Sequence, residues 1–175
     1  ESDLITLAKP LAAGLPLAAV LIPEKVNSLI HLGDHGTTFG GGPVTTAVAS
    51  RVWDILSDEK FLAQVREKGK RLHALLSDLH GRYPFVGEPR GRGLLQGLPV
   101  LMEKLPRFAE RGWDAAQVMP LVVAAMRDQG LLILRSGTNV LRIAPPLVIT
   151  ESELEQGAAL MTKAFDDLAA GRIAL

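Results

Sequence analysis

The sequence contains no cysteine, which excludes a disulfide framework, a thiolate metal site and a cysteine nucleophile together. A reducing compartment, the cytoplasm, is the matching expectation. Surplus charge is missing too: Lys plus Arg number 19 and Asp plus Glu 19, so no net field favours nucleic acid or an acidic membrane as partner. Long apolar runs are also lacking. The longest, around Leu15 to Pro23, is less than half of a membrane span, and no basic-then-apolar leader stands before it, so a soluble protein is expected. Four histidines occur, at 31, 35, 73 and 80, and none has a second histidine or carboxylate placed as in a known zinc motif, so a metal site is not expected. What remains is a neutral chain of 175 residues, enough for one domain or two small lobes.

The chain opens on Glu1 and runs at once into Leu4-Ile5-Thr6-Leu7-Ala8, an apolar stretch of the kind that forms a buried strand, so a piece of a longer protein is expected. Leu17 to Ile22 reads as a second buried strand, and Glu24 to Leu32 as a short helix or turn. The segment from Gly33 to Pro43 is too rich in glycine for regular structure. Pro43 suits the first position of a helix carrying Val44, Ala47, Val48, Val52, Ile55 and Leu56 at helical spacing. Ser57 or Asp58 then caps a long helix to about His80, which Gly69 is expected to bend.

Leu94 to Leu98 reads as a strand that Pro99 assigns to a sheet edge, and Pro120 as the start of a helix ending at Gly130. Leu131 to Leu134 and Val140 to Ile143 form a hairpin around Ser136-Gly137-Thr138-Asn139. Thr150 with Glu153 is a capping box for a closing helix whose inner face is Leu154, Met161, Phe165 and Leu168. Met102 to Asp114 carries no clear pattern. The second half is thus α+β, with helices on one side of the strands, and the boundary falls near Ser57.

Three places carry chemistry. Lys9 follows a strand among apolar neighbours, which disfavour an ammonium and favour the neutral amine that Schiff-base chemistry needs; a snorkelling surface lysine is the alternative. The Gly33 to Pro43 loop offers backbone N–H groups, the Thr37 and Thr38 hydroxyls and a helix N-terminus, which together suit a phosphate; a tight structural turn is the alternative. It is not a P-loop, since no Gly-Lys-Ser/Thr follows, and Gly91 to Gly97 is no dinucleotide fingerprint but strand-edge structure. Arg142, inside an apolar strand before Ala144-Pro145-Pro146, could grip a carboxylate through two parallel hydrogen bonds or form an ion pair across the sheet.

Taken in order, Leu4 to Pro16 with Ala8-Lys9-Pro10-Leu11, the Gly33-Asp34-His35-Gly36-Thr37-Thr38-Phe39 loop, and Leu141-Arg142-Ile143-Ala144-Pro145-Pro146-Leu147 resemble the class III aminotransferases. The resemblance covers nearly the whole chain and looks most like the acetylornithine group, with the ornithine and 4-aminobutyrate groups close by. It implies the C-terminal part of a type I pyridoxal-phosphate transferase fold, α/β plus α+β, with residues 1–57 closing the large cofactor domain and 58–175 forming a connecting helix and the small domain. It further implies pyridoxal 5'-phosphate carried by Lys9, phosphate contacts from Thr38 and Thr37, a substrate carboxylate on Arg142, and a homodimer that shares its active sites.

The reaction so implied moves the terminal amino group of N-acetylornithine to 2-oxoglutarate, as in arginine biosynthesis. Two departures from the family pattern stand out: Ala18 replaces a usual glycine, and Met102 to Asp114 matches poorly. The family's ring-stacking aromatic, its pyridine-nitrogen aspartate and its first phosphate loop belong to a segment upstream of this chain. A sister aminotransferase with another amino donor, and a non-catalytic assembly module, are the competing readings.

Overall fold

The computed structural model describes residues 2–105 and 108–172. Two stretches of the chain bury very different amounts of apolar surface, and they form two compact units, Glu1–Leu62 and Ala63–Leu175.

In the first unit, β1 (Ile5–Leu7) pairs antiparallel with β2 (Ala19–Leu21), Thr6 opposite Val20. Between them a 3₁₀ turn, Lys9–Ala12, is closed by Ala13 and Gly14, both at positive φ. A short helix α1 (Glu24–Asn27) leads to the glycine loop, and α2 (Pro43–Leu56) follows with Pro43 in its first turn, where a missing N–H costs nothing. The two strands form where expected, but they are not buried: Leu4, Ile5, Val20 and Leu21 are all exposed. A two-stranded ladder has no interior strand, and the described residues cover its faces only in part. Ala12 is the one buried residue among those described in this unit, beneath the turn that packs against α2.

The long helix α3 (Glu59–Arg82) begins where expected, with the Asp58 carboxylate accepting the Phe61 N–H at 2.8 Å. Its stripe of Leu72, Leu76 and Leu79 joins the core of the second unit. That core lies under a four-stranded antiparallel sheet in the order β3 (Arg90–Arg92), β4 (Leu95–Pro99), β6 (Val140–Ile143), β5 (Leu134–Ser136). Strand alternation sends Gln96, Leu98 and Leu141 inward, where they meet α3, α4 (Ala115–Asp128) and α5 (Glu151–Ala169), and sends Leu95, Gly97 and Arg142 to the opposite face. Leu154, Met161, Phe165 and Leu168 of α5 are all buried, and Tyr83, Phe85 and Phe165 pack ring against ring with centroids 5.3–5.6 Å apart. The strands carry helices on one side only, as the sequence indicates.

Three local expectations are corrected, and Gly69 has a role that the sequence does not show: a Cβ there would stand 2.6 Å from Gly93 Cα and 2.7 Å from its carbonyl carbon, so the glycine lets the helix touch the β3–β4 turn backbone to backbone. Pro99 does not mark an edge, because β4 lies between β3 and β6. Its carbonyl accepts from Gly87 N–H at 2.8 Å on the β3 side, so the proline keeps one of the two bonds of that antiparallel pair and lacks only the return bond. Pro120 lies inside α4 rather than at its start, because the Asp114 and Gln117 capping box begins the helix earlier. The first hairpin strand is Leu134–Ser136, set later than Leu131 to Leu134, with Leu132 exposed.

Two stability experiments follow. Gly69→Ala should lower the unfolding free energy by about 1–3 kcal/mol, since the clash is with backbone, whereas Gly157→Ala in α5, where a Cβ meets nothing within 4 Å, should raise it by up to about 1 kcal/mol. Urea titrations of both variants check the opposite signs.

The Thr150 N–H and hydroxyl both bond to Glu153, at 2.8 Å each, and these bonds hold the Glu153 carboxyl below its ordinary pKa. A pKa lower in the folded state adds stability above the unfolded value and loses it as the pH falls through the folded one. Thr150→Ala, which removes the hydroxyl's share of these bonds, should lower the melting temperature near neutral pH, with a gap that narrows in acid. Thermal melts over a pH series read this directly.

Candidate functional site

Lys9 sits at the end of β1 in a backbone conformation that lysine rarely takes. Ala8 is fully extended, and Lys9 then turns into the left-handed region at φ 55° to open the 3₁₀ turn. For a residue with a Cβ that conformation costs about 1–2 kcal/mol, so something other than local preference keeps lysine here. Its side chain is exposed, and its ammonium makes no ion pair or hydrogen bond among the described residues. The apolar enclosure expected from Leu7, Ala8, Pro10 and Leu11 is therefore not formed among the described residues.

The glycine loop is shaped by local contacts at both ends. His31 N–H donates to Asp34 Oδ2 at 2.7 Å, Gly33 and Gly41 have φ of 97° and 69°, and a Cβ at Gly40 would lie 2.1 Å from the Thr37 methyl. Thr37 and Thr38 are exposed, and no described residue takes up either hydroxyl. Behind them α2 starts at Gly42 with no side-chain cap and no acidic residue in its first turn; the Thr45 and Thr46 hydroxyls bond back to the Gly42 carbonyl at 2.9 and 3.0 Å. The first-turn N–H groups that a helix leaves unpaired thus keep their attraction for an anion. The Lys9–Ala12 turn packs against this same helix, so the first unit brings Lys9's segment and the α2 segment together.

Arg142 belongs to the second unit, on β6, with Gly97 and Leu134 as its cross-strand neighbours. It is exposed on the sheet face opposite the helices and has no ion-pair partner among the described residues, so the across-sheet salt bridge is not formed. The sequence reading missed the company Arg142 keeps. Arg92, within the segment taken there as strand-edge structure, and Arg90 just before it lie on β3 and share the outer face with Arg142; only the register Arg90↔Gly97↔Arg142 shows it. The surroundings are open: a shallow recess of about 820 Å³ contains all three guanidinium-bearing residues and no Asp or Glu in its lining.

Comparison with known proteins fits these features. Residues 1–165 match the class-III aminotransferases. The mitochondrial acetylornithine aminotransferase of Debaryomyces hansenii is 37% identical over 95% of this chain and 33% of its own length. A crystal structure of acetylornithine aminotransferase from Elizabethkingia anophelis superimposes with a TM-score of 0.77 at 30% identity, covering 95% of this chain and 41% of that one. An amine transaminase from an uncultivated Pseudomonas species, solved in its PLP-bound form, gives 0.80 at 30% identity over 95% and 38%. The chain spans about a third of the length of the curated relatives it matches. With an unpaired lysine on a strained strand end, a glycine loop leading into an uncapped helix and an arginine on the β6 face all in the family's order, the chain belongs to the class III aminotransferases, a family of pyridoxal-phosphate enzymes.

Proposed function

We propose that this chain is the C-terminal part of an acetylornithine-type aminotransferase, with residues 1–57 closing the cofactor domain and 58–175 forming a connecting helix and the small domain. The observation that carries the reading is the left-handed Lys9, since strain of this kind is kept where function requires a particular side chain. Pyridoxal 5'-phosphate would supply the electron sink for the carbon that gives up its proton. Lys9 Nζ would tether the cofactor and carry that proton.

The donor set suits the cofactor's phosphate: two hydroxyls with no other partner, loop N–H groups and an uncapped helix start. Thr38, with Thr37 beside it, would make those contacts, in the family's manner with the cofactor of a partner subunit in a homodimer. Arg142 would hold the substrate carboxylate, because its fork is exposed and no described group competes for it. The net reaction moves the terminal amino group of N-acetylornithine to 2-oxoglutarate, giving N-acetylglutamate semialdehyde and glutamate. A cysteine-free composition supports a cytoplasmic setting.

In the full-length protein, borohydride reduction followed by peptide mapping should find the pyridoxyl group on Lys9; finding it on Lys25 or Lys60 instead overturns the assignment. The 175-residue chain alone should turn over N-acetylornithine far below the full-length rate. Arg142→Lys should lower kcat/KM for both amino donor and 2-oxoglutarate by roughly tenfold to more than a hundredfold, the loss expected when one point charge replaces a planar fork. Cofactor absorbance should survive that change, and single-turnover kinetics with each substrate measure it.

A further inference from the structure

Within the glycine loop, an ideal Cβ on Gly40 would stand 2.1 Å from the Thr37 methyl carbon, 3.4 Å from Thr37 Cβ and 3.5 Å from the Thr37 hydroxyl oxygen. The methyl thus fills the place that a side chain at 40 would take, and it rests on the bare Cα. We propose that Gly40 is a positioning residue: by leaving that place empty it selects the rotamer of Thr37, and so fixes where the Thr37 hydroxyl points toward the cofactor phosphate. The proposal rests on the phosphate role given to Thr37 and Thr38 above.

Threonine is well suited to being set in this way. Its methyl and hydroxyl share one carbon, so χ1 moves both together, and only three staggered arrangements are open to it. Seating the methyl on Gly40 chooses one of the three. The hydroxyl is then left to the side, where no described residue takes it up. A donor already aimed before the anion arrives gives up less freedom on binding it.

Backbone conformation does not account for this glycine. Gly33 and Gly41 have φ of 97° and 69°, where a side chain is strained, but Gly40 lies outside the left-handed region, so its backbone would accept alanine. The three atoms nearest to a Cβ there all belong to Thr37. With alanine at 40 the Thr37 methyl has to move. The motion open to it is rotation about χ1, which carries the hydroxyl to another of the staggered positions and away from its acceptor.

Fluorescence titration of the cofactor-free full-length protein with pyridoxal 5'-phosphate, and with pyridoxal, which lacks the phosphate, separates this role from a general loss of structure. Gly40→Ala should weaken pyridoxal phosphate binding by about tenfold to a hundredfold, the loss of one hydrogen bond to a charged group, and leave pyridoxal binding unchanged. Thr37→Ser keeps the hydroxyl but frees it among three wells, for a loss of about threefold. In the double variant the alanine methyl takes the place that the threonine methyl has left, so it should bind pyridoxal phosphate at least as well as Thr37→Ser alone. Losses that simply multiply in the double variant overturn the contact as the cause. An equal loss for pyridoxal overturns the aim toward phosphate. Unchanged pyridoxal phosphate affinity in Gly40→Ala, with a loss in Thr38→Val, overturns the positioning role and leaves the phosphate reading intact. Unchanged affinity in both Thr37→Val and Thr38→Val overturns that reading together with this one.

Discussion

The second unit depends on one close contact, the backbone of α3 at Gly69 resting on the backbone of the β3–β4 turn at Gly93. Gln96, the one buried polar residue in the described core, locks it: its amide donates to the Gly69 and Gly93 carbonyls, both at 2.9 Å, and its oxygen faces His73 Nδ1 at 3.1 Å. Each donor so buried would be costly if unpaired, so the side chain has one well-satisfied orientation. Because Gln96 must point inward, alternation along β4 turns Gly97 outward, and Gly97 sets what lies between Arg90 and Arg142. A packing constraint on the helix side thereby determines the chemistry of the opposite face.

The first unit is built by different means. With Ala12 its only buried described residue, its shape comes from turns, caps and special dihedrals more than from a core. Positive φ at Lys9, Ala13, Gly14, Gly33 and Gly41 fixes the chain's path around both candidate cofactor elements. Apolar side chains such as Phe39 at 88% exposure and Val20 at 58% are covered only in part by neighbours among the described residues.

Where the pattern is local, the sequence was legible. Helix periodicity and caps placed α2, α3 and α5 within a residue or two, and the Thr150 and Glu153 pair is bonded as read. The misreadings came from non-local causes. Pro99 looks like an edge residue until β6 and the 87–89 segment are known to flank it, and Pro120 looks like a helix start until Asp114 and Gln117 are paired as a box, a signal that was present in the sequence and passed over. Lys9, Thr37, Thr38 and Arg142 could be singled out by residue type and order. Their exposure could not, because burial depends on what packs above a strand, and an apolar run alone does not say that anything does. Arg90 was invisible for a related reason: it lies 52 positions from Arg142 in the chain, and only strand register makes them neighbours.

The left-handed backbone at Lys9 has a consequence for how such a protein responds to selection. Glycine or asparagine fits φ 55° with less strain than lysine does, so a search that rewards heat resistance alone will tend to replace this residue. The gain in robustness would remove the amine that the position displays. Durability and chemistry pull in opposite directions at this one residue, and a lineage that keeps lysine there is under pressure for something other than folding.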